Sequence, residues 1–383
     1  MADHDLELYL HIPFCMQKCA YCDFLSFVSG NELQRQYADA LIQEIRASEP
    51  GKRMVSSVYI GGGTPSVLDP QWLKDILEVV MQNFSVAEDA EISMECNPGT
   101  VTQAKFEIYR QMGINRISFG LQSAHDEELR RLGRIHTWRE FLESYRLARK
   151  AGIDNVNVDV MSGLPGQTAD GYLDTLKKVV GLDPEHISAY SLILEEGTPF
   201  YQKYYNTPLE KELPNEDAER EMYWKGRKFL EGQGYHCYEI SNYSKRGREC
   251  RHNIGYWTGK EYLGLGLGAA SLLYGKRFHN TDNMKQYLSL AKMPEQIRVE
   301  EETVTKRRAM EEFVFLGLRM SEGIDTGEFE RRFGCTFAGV YQNVCRRLLD
   351  MDFLREREGR LFLTRKGIDV SNQIMAEFLL DGE

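Results

Sequence analysis

Three closely spaced cysteines are the residues of this chain best suited to chemistry. Cys15, Cys19 and Cys22 follow the spacing C-x3-C-x2-C, in a run that begins with His11-Ile-Pro-Phe. Thiolates are the usual protein ligands of iron–sulfur clusters. Three thiolates leave one iron of a cubane cluster without a protein ligand, so that iron can bind a small molecule. The spacing therefore favours a [4Fe–4S] cluster with an open coordination position.

Closely spaced cysteines can also bind zinc or carry out redox chemistry. A structural zinc site takes four ligands, commonly as two separated pairs, and His11 is the only nearby candidate for a fourth. A C-x2-C redox pair at Cys19 and Cys22 would leave Cys15 without a role. Both alternatives account for less of the sequence than a cluster does.

Composition and charge narrow the class of protein. The chain has 383 residues, 42% of them apolar, with a formal net charge of −11, which is enough for one large domain and one small domain. The negative charge argues against a nucleic-acid partner. Eight cysteines in a chain of this length do not form a disulfide scaffold. We see no secretory signal and no run of 18 apolar residues, and therefore expect a cytoplasmic protein that does not span a membrane.

Apolar runs of strand length alternate with helical patterns over the first half of the chain. The predicted strands are Leu6–Ile12, Val55–Ile60, Glu91–Glu95, Arg116–Gly120, Val156–Val160 and His186–Leu192. The predicted helices are Glu32–Ala47, Pro70–Asn83, Thr102–Gln111, Trp138–Ala151 and Ala169–Val180. This alternation predicts a parallel sheet with crossover helices. The pattern alone does not distinguish a curved, incomplete barrel from a flat sheet.

Glycine-rich or polar motifs follow successive predicted strands. They are the cysteine loop, Gly61-Gly-Gly63-Thr64-Pro65, Glu95-Cys-Asn97-Pro98, the segment at Gln122 and Gly163-Leu-Pro-Gly166. The glycine triplet lacks both the lysine of a P-loop and the spacing of a dinucleotide fold. In barrels the carboxyl ends of the strands converge on one mouth, where chemistry takes place. We therefore expect these motifs to face one ligand.

Together these motifs resemble the radical S-adenosylmethionine (SAM) superfamily, in the branch of oxygen-independent coproporphyrinogen III oxidase and heme chaperones. The resemblance covers essentially the whole chain. It implies an α/β fold with a partial (β/α)6 barrel and extra strands. It also implies that the open iron binds the amino and carboxylate groups of SAM. The bound cofactors would then supply the chemistry, which is reductive cleavage of SAM to methionine and a 5′-deoxyadenosyl radical.

A set of SAM-binding residues is implied by the same resemblance. They are Tyr9, Tyr21, Gly62, Gly63, Thr64, Glu95, Gln122, Arg134 and Asp159. In this family the glycine-rich motif meets the SAM amino group, Glu95 corresponds to the acceptor for the ribose hydroxyls, and Tyr21 to the residue against adenine. The last three correspond to positions that hold SAM in the oxidase, including a second SAM molecule. Arg134 also suits a plainer role, because its basic run is typical of a solvated helix end.

A second motif, His252-Asn253-Ile-Gly-Tyr256-Trp257, matches H-N-x-x-Y-W, a signature of the heme-chaperone branch. Histidine is a common axial ligand of heme iron, so His252 is the candidate heme ligand and Cys250 is its rival. A lone histidine is more often a hydrogen-bonded structural residue. The branch usually carries Ala-His-Ser in a late strand, whereas this chain has Ala269-Ala270-Ser271.

The resemblance leaves two functions open. Phe24 stands where the oxidase has a further cysteine, which favours a heme chaperone that binds a [4Fe–4S] cluster, SAM and heme and passes heme to acceptor proteins. The alternative is an enzyme, either the oxidase that decarboxylates coproporphyrinogen III propionates or another radical SAM oxidoreductase acting on a tetrapyrrole. Both functions imply an electron donor such as flavodoxin or ferredoxin.

The expected domain organisation has three parts. Residues 1–290 form the radical SAM barrel with its extension, the polar stretch 291–302 is a linker, and residues 303–383 form a winged-helix-like domain of three helices and a hairpin. From Thr303 onward, 13 Lys and Arg stand against 14 Asp and Glu. A duplex-binding module needs a basic excess, so a lid or docking surface is expected instead of DNA binding.

Overall fold

Six consecutive parallel strands form the centre of the structure, a computed structural model that describes residues 5–48 and 53–380. They are β1 (Leu6–Ile12), β2 (Met54–Gly62), β3 (Ser85–Cys96), β4 (Arg116–Gln122), β5 (Val156–Ser162) and β6 (His186–Ser191). Each strand pairs in parallel with the next. This order confirms the predicted barrel strands.

Helices connect successive strands and cover the outside of the sheet. They are α1 (Asn31–Ala47), α2 (Pro70–Asn83), α3 (Gln103–Gln111), α4 (Asp126–Arg131), α5 (Trp138–Lys150) and α6 (Ala169–Val180). Side chains cap the amino-terminal ends of several of these helices. Thr137 and Glu140 form a capping box at α5, and Asp69 caps α2. The helices therefore start where the sequence supplies a cap.

Side chains alternate between the two faces of each barrel strand. In β1 the leucines at positions 6, 8 and 10 are fully buried in the apolar core, whereas Glu7, Tyr9 and His11 occupy the opposite face, because successive strand residues point to opposite sides. The helix-facing side of the sheet is thus apolar, and the barrel interior is polar.

An extension adds six strands to the sheet. The strands are β7 (His236–Glu239), β8 (Asn242–Ser244), β9 (Tyr262–Leu265), β10 (Ala270–Leu273), β11 (Lys276–Asn280) and β12 (Arg298–Thr303). The helices of this region are α7 (Pro199–Tyr204), α8 (Glu216–Gly232), α9 (Arg251–Trp257), α10 (Met284–Leu290) and α11 (Pro294–Ile297). The full sheet runs β12-β11-β10-β9-β1-β2-β3-β4-β5-β6-β8-β7, so the extension widens the barrel on both sides.

The expected linker at 291–302 differs from the structure. This stretch contains α11 and most of β12, which pairs antiparallel with β11 at the edge of the large sheet. Ile297 is fully buried in the barrel core. The polar sequence Val299-Glu-Glu-Glu-Thr303 concealed this strand, because an edge strand carries charges that discourage pairing with another chain.

A separate apolar core holds the carboxyl-terminal part together, from Val314 to Phe378. Its helices are α12 (Lys306–Gly317), α13 (Thr326–Phe333), α14 (Phe337–Asp350), α15 (Arg365–Ile368) and α16 (Ser371–Ala376), and its strands are β13 (Ile324–Asp325), β14 (Leu354–Arg357) and β15 (Arg360–Leu363). Three helices followed by a hairpin confirm the winged-helix-like order. No helix within the described residues is long and apolar enough to span a membrane.

A buried carboxylate joins the extension to the first helix. Glu44 of α1 accepts hydrogen bonds from the Tyr287 hydroxyl (2.6 Å), the Asn280 side-chain amide (2.6 Å) and the Gly266 main-chain N–H (2.9 Å). Burial raises the pKa of Glu44 to about 7. These bonds connect β11, α10 and the turn after β9 to α1.

We predict that Glu44→Ala lowers the free energy of unfolding by about 3 kcal/mol, because it leaves three buried donors without their acceptor. The measurement is urea denaturation followed by circular dichroism. Gln43→Ala on the exposed side of the same helix is the control and should change the stability by less than about 0.5 kcal/mol. Equal effects of the two variants would contradict a structural role for Glu44.

Candidate functional site

The three cysteines meet in one cavity at the carboxyl ends of the barrel strands. Cys15, Cys19 and Cys22 are free thiols, each partly buried, and all three line this cavity. The loop that carries them is fixed by the main chain, since Cys15 N donates to Phe27 O at 3.0 Å. Burial raises the pKa of the Cys22 thiol. The predicted cluster ligands therefore face a common space.

The glycine triplet packs directly against this loop. A Cβ at Gly62, whose φ is +112°, would lie 2.6 Å from the His11 ring, and one at Gly63 would lie 2.8 Å from the Phe14 carbonyl oxygen. Only glycine permits this approach. The N–H groups of Gly62, Gly63 and Thr64 all donate within the protein. The N–H groups of an iron-bound amine donate hydrogen bonds, so main-chain contact with the SAM amino group would come from carbonyl oxygens.

Two buried carboxylates face the same cavity. Glu95 accepts hydrogen bonds from the Tyr59 hydroxyl (3.0 Å) and Gly62 N (3.2 Å), and burial, with the nearby charge of Asp159, raises its pKa to about 7. Burial also raises the pKa of Asp159, which Asn157 Nδ2 contacts at 2.7 Å. Such carboxylates gain from a ligand that brings hydroxyl donors or positive charge.

Arg134 lines this cavity, is partly buried and is bonded to groups inside the cavity, so its interpretation as a solvated helix end is wrong. Its guanidinium donates to Cys19 Sγ (3.4 Å), Gly120 O (2.6 Å) and Asn97 Oδ1. Thr64 Oγ1 donates to Cys15 Sγ at 3.6 Å. The free volume is about 130 Å³, below the roughly 300–1,000 Å³ of small-molecule sites.

A bulge in β4 positions Gln122. The register between β4 and β5 shifts at this point, and Gln122 has a φ of +77°, a conformation that costs energy for a residue other than glycine. The Tyr190 hydroxyl donates to Gln122 Oε1 at 2.9 Å. Tyr21 lines the same cavity and packs beside Phe200, with ring centroids 6.3 Å apart.

Eight of the nine predicted SAM residues line the cysteine cavity, and Tyr9 does not. The Tyr9 hydroxyl is bonded to His11 Nδ1 at 3.0 Å, and its side chain lines a second cavity. Sequence reasoning missed Asn97, Ser118 and Tyr190 as members of the first cavity. Asn97 follows β3 and Tyr190 lies near the end of β6, so the convergence of strand ends would have found these two, whereas Ser118 lies in the middle of β4.

The first cavity suits the cofactors that the sequence implies. Soft thiolates suit iron–sulfur clusters, and hydrogen bonds to the ligand sulfurs tune the cluster potential; here Arg134 and Thr64 donate two such bonds. The carboxylates and main-chain carbonyls are suitable acceptors for the hydroxyl and amino groups of SAM. Among the described residues, no group of three or more His, Cys, Asp or Glu side chains is arranged to hold a single metal ion.

A second cavity, of about 530 Å³, lies between the barrel extension and the carboxyl-terminal domain. Its walls include aromatic and basic side chains, among them Tyr256, Trp257, Tyr262, Phe313, Arg277 and Arg332. Arg277 forms an ion pair with Glu312 at 2.6 Å. Arg332 instead donates to the main-chain carbonyls of Thr258 and Gly259 at 3.3 Å, and within the described chain it forms no ion pair with a carboxylate. The cavity therefore combines flat apolar walls with an available positive charge.

His252, the predicted heme ligand, lies behind the wall of this second cavity. Its side chain is 1% exposed. Nδ1 lies 2.8 Å from Ser57 Oγ, Nε2 lies 3.0 Å from the Tyr256 hydroxyl, and the ring stacks on Tyr59. Burial lowers the pKa of His252 to about 3. Direct contact with a heme iron would require the bond to Tyr256 to break, so ligation by His252 stays a prediction. Its rival Cys250 is fully buried, with Sγ 3.5 Å from Glu91 Oε1.

Comparisons with known proteins agree with this geometry. The Radical SAM superfamily profile matches residues 9–179, and the HemN C-terminal domain profile matches residues 304–370. The chain is 35% identical to the heme chaperone HemW of Lactococcus lactis over 97% of both chains, and 34% identical to that of Bacillus subtilis over 97% of this chain and 98% of the relative.

A solved structure shares the fold. Coproporphyrinogen III oxidase (HemN) from Escherichia coli, described as a radical SAM enzyme, superposes with a TM-score of 0.86 at 24% identity. The match covers 98% of this chain and 90% of the oxidase. At this identity the likeness concerns the fold alone.

We predict that Arg134→Gln leaves cluster assembly intact but shifts the cluster reduction potential to more negative values. A positive charge and an N–H donor beside Cys19 Sγ both stabilise the reduced cluster, which carries more negative charge. The substitution removes both, so reduction becomes less favourable. The measurement is iron content together with an anaerobic redox titration followed by electron paramagnetic resonance, without SAM. Arg130→Gln, on the exposed side of α4, should behave like the wild type. Unchanged potential in Arg134→Gln would contradict the proposed contact.

Proposed function

Because the chain belongs to the radical SAM superfamily, in the group of the heme chaperone HemW, we propose that it is a heme chaperone. In this proposal it holds a [4Fe–4S] cluster and SAM in the first cavity, binds heme and delivers it to acceptor proteins. The observation that carries the proposal is similarity to curated HemW relatives over almost the whole chain. The likeness to HemN contributes only the fold.

The second cavity supports heme as the cargo. Its volume of about 530 Å³ lies within the range of small-molecule sites. Heme is a flat apolar macrocycle with two carboxylates on one edge. The rings of Tyr256, Trp257 and Phe313 offer apolar surface, and Arg332 offers a guanidinium that suits a propionate. The cavity lining thus suits both the apolar macrocycle and the carboxylates of heme.

The residues of the first cavity would hold the cofactors in place. Cys15, Cys19 and Cys22 would bind the cluster, and Glu95 would accept from the ribose hydroxyls of SAM. The bound pair supplies reductive chemistry, in a supporting or regulatory role, with electrons from a donor such as flavodoxin or ferredoxin. We propose a cytoplasmic location, because a low-potential cluster needs a reducing compartment.

One observation favours a second candidate function. The first cavity carries eight of the nine residues expected for SAM, which is the equipment of an enzyme as well as of a chaperone. Oxygen-independent coproporphyrinogen III oxidase activity, or another radical reaction on a tetrapyrrole, is therefore the alternative. Phe24, at the mouth of the cavity and 63% exposed, stands where the oxidase has a cysteine and argues against it.

Anaerobic reconstitution tests the two functions together. We predict that protein loaded with iron and sulfide binds one heme per chain, seen as a Soret band in a titration. With SAM, a reductant and coproporphyrinogen III, it should leave the propionates intact, as measured by chromatography of the porphyrin products. Decarboxylation without any requirement for heme would contradict the chaperone proposal and support the oxidase.

A charge substitution tests the second cavity as the heme site. Arg332→Gln should weaken heme affinity by about three- to tenfold, because a charge-assisted bond to a propionate is lost at an exposed position. The same variant should bind heme dimethyl ester, which lacks the carboxylates, as the wild type does. Arg331→Gln is the matched control, since Arg331 is 67% exposed and pairs with Glu328. An equal loss for heme and its ester would exclude recognition of a propionate by Arg332.

A further inference from the structure

A histidine–tyrosine pair connects the barrel interior to the second cavity. His252 and Tyr256 are four residues apart in α9 and therefore share one helix face. His252 Nε2 lies 3.0 Å from the Tyr256 hydroxyl, and Tyr256 lines the cavity. His252 itself is buried behind Tyr256, with Nδ1 engaged by Ser57. Of the two side chains, only the tyrosine lines the cavity.

Buried contacts fix the helix that carries the pair. The carboxylate of Glu91 accepts from Arg251 N (3.1 Å) and His252 N (3.4 Å) at the start of α9. A Cβ at Gly255 would overlap the Glu7 carboxyl, so only glycine lets the helix lie this close to β1. Tyr256 is therefore held in one position relative to the barrel, as a preorganised ligand requires.

The carboxylates of the second cavity are already engaged. Glu312 pairs with Arg277 at 2.6 Å, and Glu261 pairs with Arg53 at 2.6 Å. Ala270, where the resemblance leads one to expect a histidine, contributes only a methyl group to the wall. Three phenols remain at the wall, those of Tyr9, Tyr256 and Tyr262. The hydroxyls of Tyr9 and Tyr256 are each bonded to a buried imidazole, but Tyr9 belongs to strand β1, whereas Tyr256 lies on α9 beside Trp257, which also lines the cavity.

We propose that Tyr256, positioned by His252, is the residue that binds the iron of ferric heme in the second cavity. This inference rests on the proposed function, because it identifies the ligand of that cargo. Tyrosinate is a known axial ligand of ferric heme. On binding, the phenol O–H bond breaks and the oxygen–iron(III) bond forms. The phenol proton passes to a hydroxide ligand of the iron, which departs as water, while His252 Nε2 stays hydrogen-bonded to the phenol oxygen and no electron is transferred.

Spectroscopy of the heme-loaded full-length protein tests the ligand. The wild type should show the charge-transfer band and high-spin ferric electron paramagnetic resonance signal of a phenolate-ligated heme. Tyr256→Phe should lose both features and bind heme about tenfold or more weakly, a change of about 1.4 kcal/mol or more. Tyr262→Phe and Tyr9→Phe are matched controls that keep the phenolate features. Loss of those features in either control, with Tyr256→Phe unchanged, would overturn the assignment.

Two further variants separate a ligand from a structural residue. Tyr256→His should replace the phenolate spectrum by one of imidazole ligation, which a merely structural position would not produce. His252→Ala should keep the phenolate ligand but shift its charge-transfer band, because the hydrogen bond to the phenol is gone. Loss of heme ligation in His252→Ala with wild-type spectra in both Tyr256 variants would make His252 the ligand.

The failure of this inference is distinguishable from failure of the proposed function. If the wild-type protein binds no heme, the chaperone proposal itself fails. If it binds one heme per chain and the spectrum is the same in Tyr256→Phe and Tyr256→His, the chaperone proposal stands and the Tyr256 assignment is overturned.

Discussion

The structure depends on the alternation of side chains along six parallel strands. One face of each strand packs its apolar residues under the helices, and the other face turns polar residues into the barrel. In β1 this alternation separates three buried leucines from Glu7, Tyr9 and His11. A shift of one residue would exchange the two sets and destroy both the core and the site. Cofactor binding and folding therefore rely on the same two-residue period.

A polar interior is costly, and the structure compensates for it with a lining of hydrogen bonds. Burial raises the pKa of Glu7 to about 8 and that of Glu95 to about 7, since the charged form of a carboxyl is disfavoured away from water. The carboxylate of Glu91 accepts hydrogen bonds from the main-chain N–H groups at the start of α9. That helix closes the amino-terminal side of the barrel and at the same time brings the H-N-x-x-Y-W residues to the wall of the second cavity.

Much of the barrel was predictable because it follows from local patterns. The predicted β1, α2 and α6 have the observed ends, and the convergence of strand ends correctly gathered the cysteines, Glu95 and Asp159. Interactions between distant residues were not predictable. Helix α9 is seven residues long, contains a glycine and is capped by Glu91, about 160 residues earlier in the chain. The second cavity needs Tyr9 of β1 and residues from α9 to α13, and no local pattern indicates that they meet.

The separation of the two cavities bears on what the cofactors do for the cargo. The first cavity lies at the carboxyl ends of the strands, whereas the second includes Tyr262, which pairs with Glu7 near the amino end of β1. Between them lie the rings of His11, Tyr9 and Tyr59, with Tyr9 contacting both of the others. If the tetrapyrrole occupies the second cavity as proposed, these rings would stand between it and a radical formed on SAM in the first cavity. This arrangement suits a protein that carries its tetrapyrrole unchanged. The rings of His11, Tyr9 and Tyr59 would then connect the cofactor site to the cargo site.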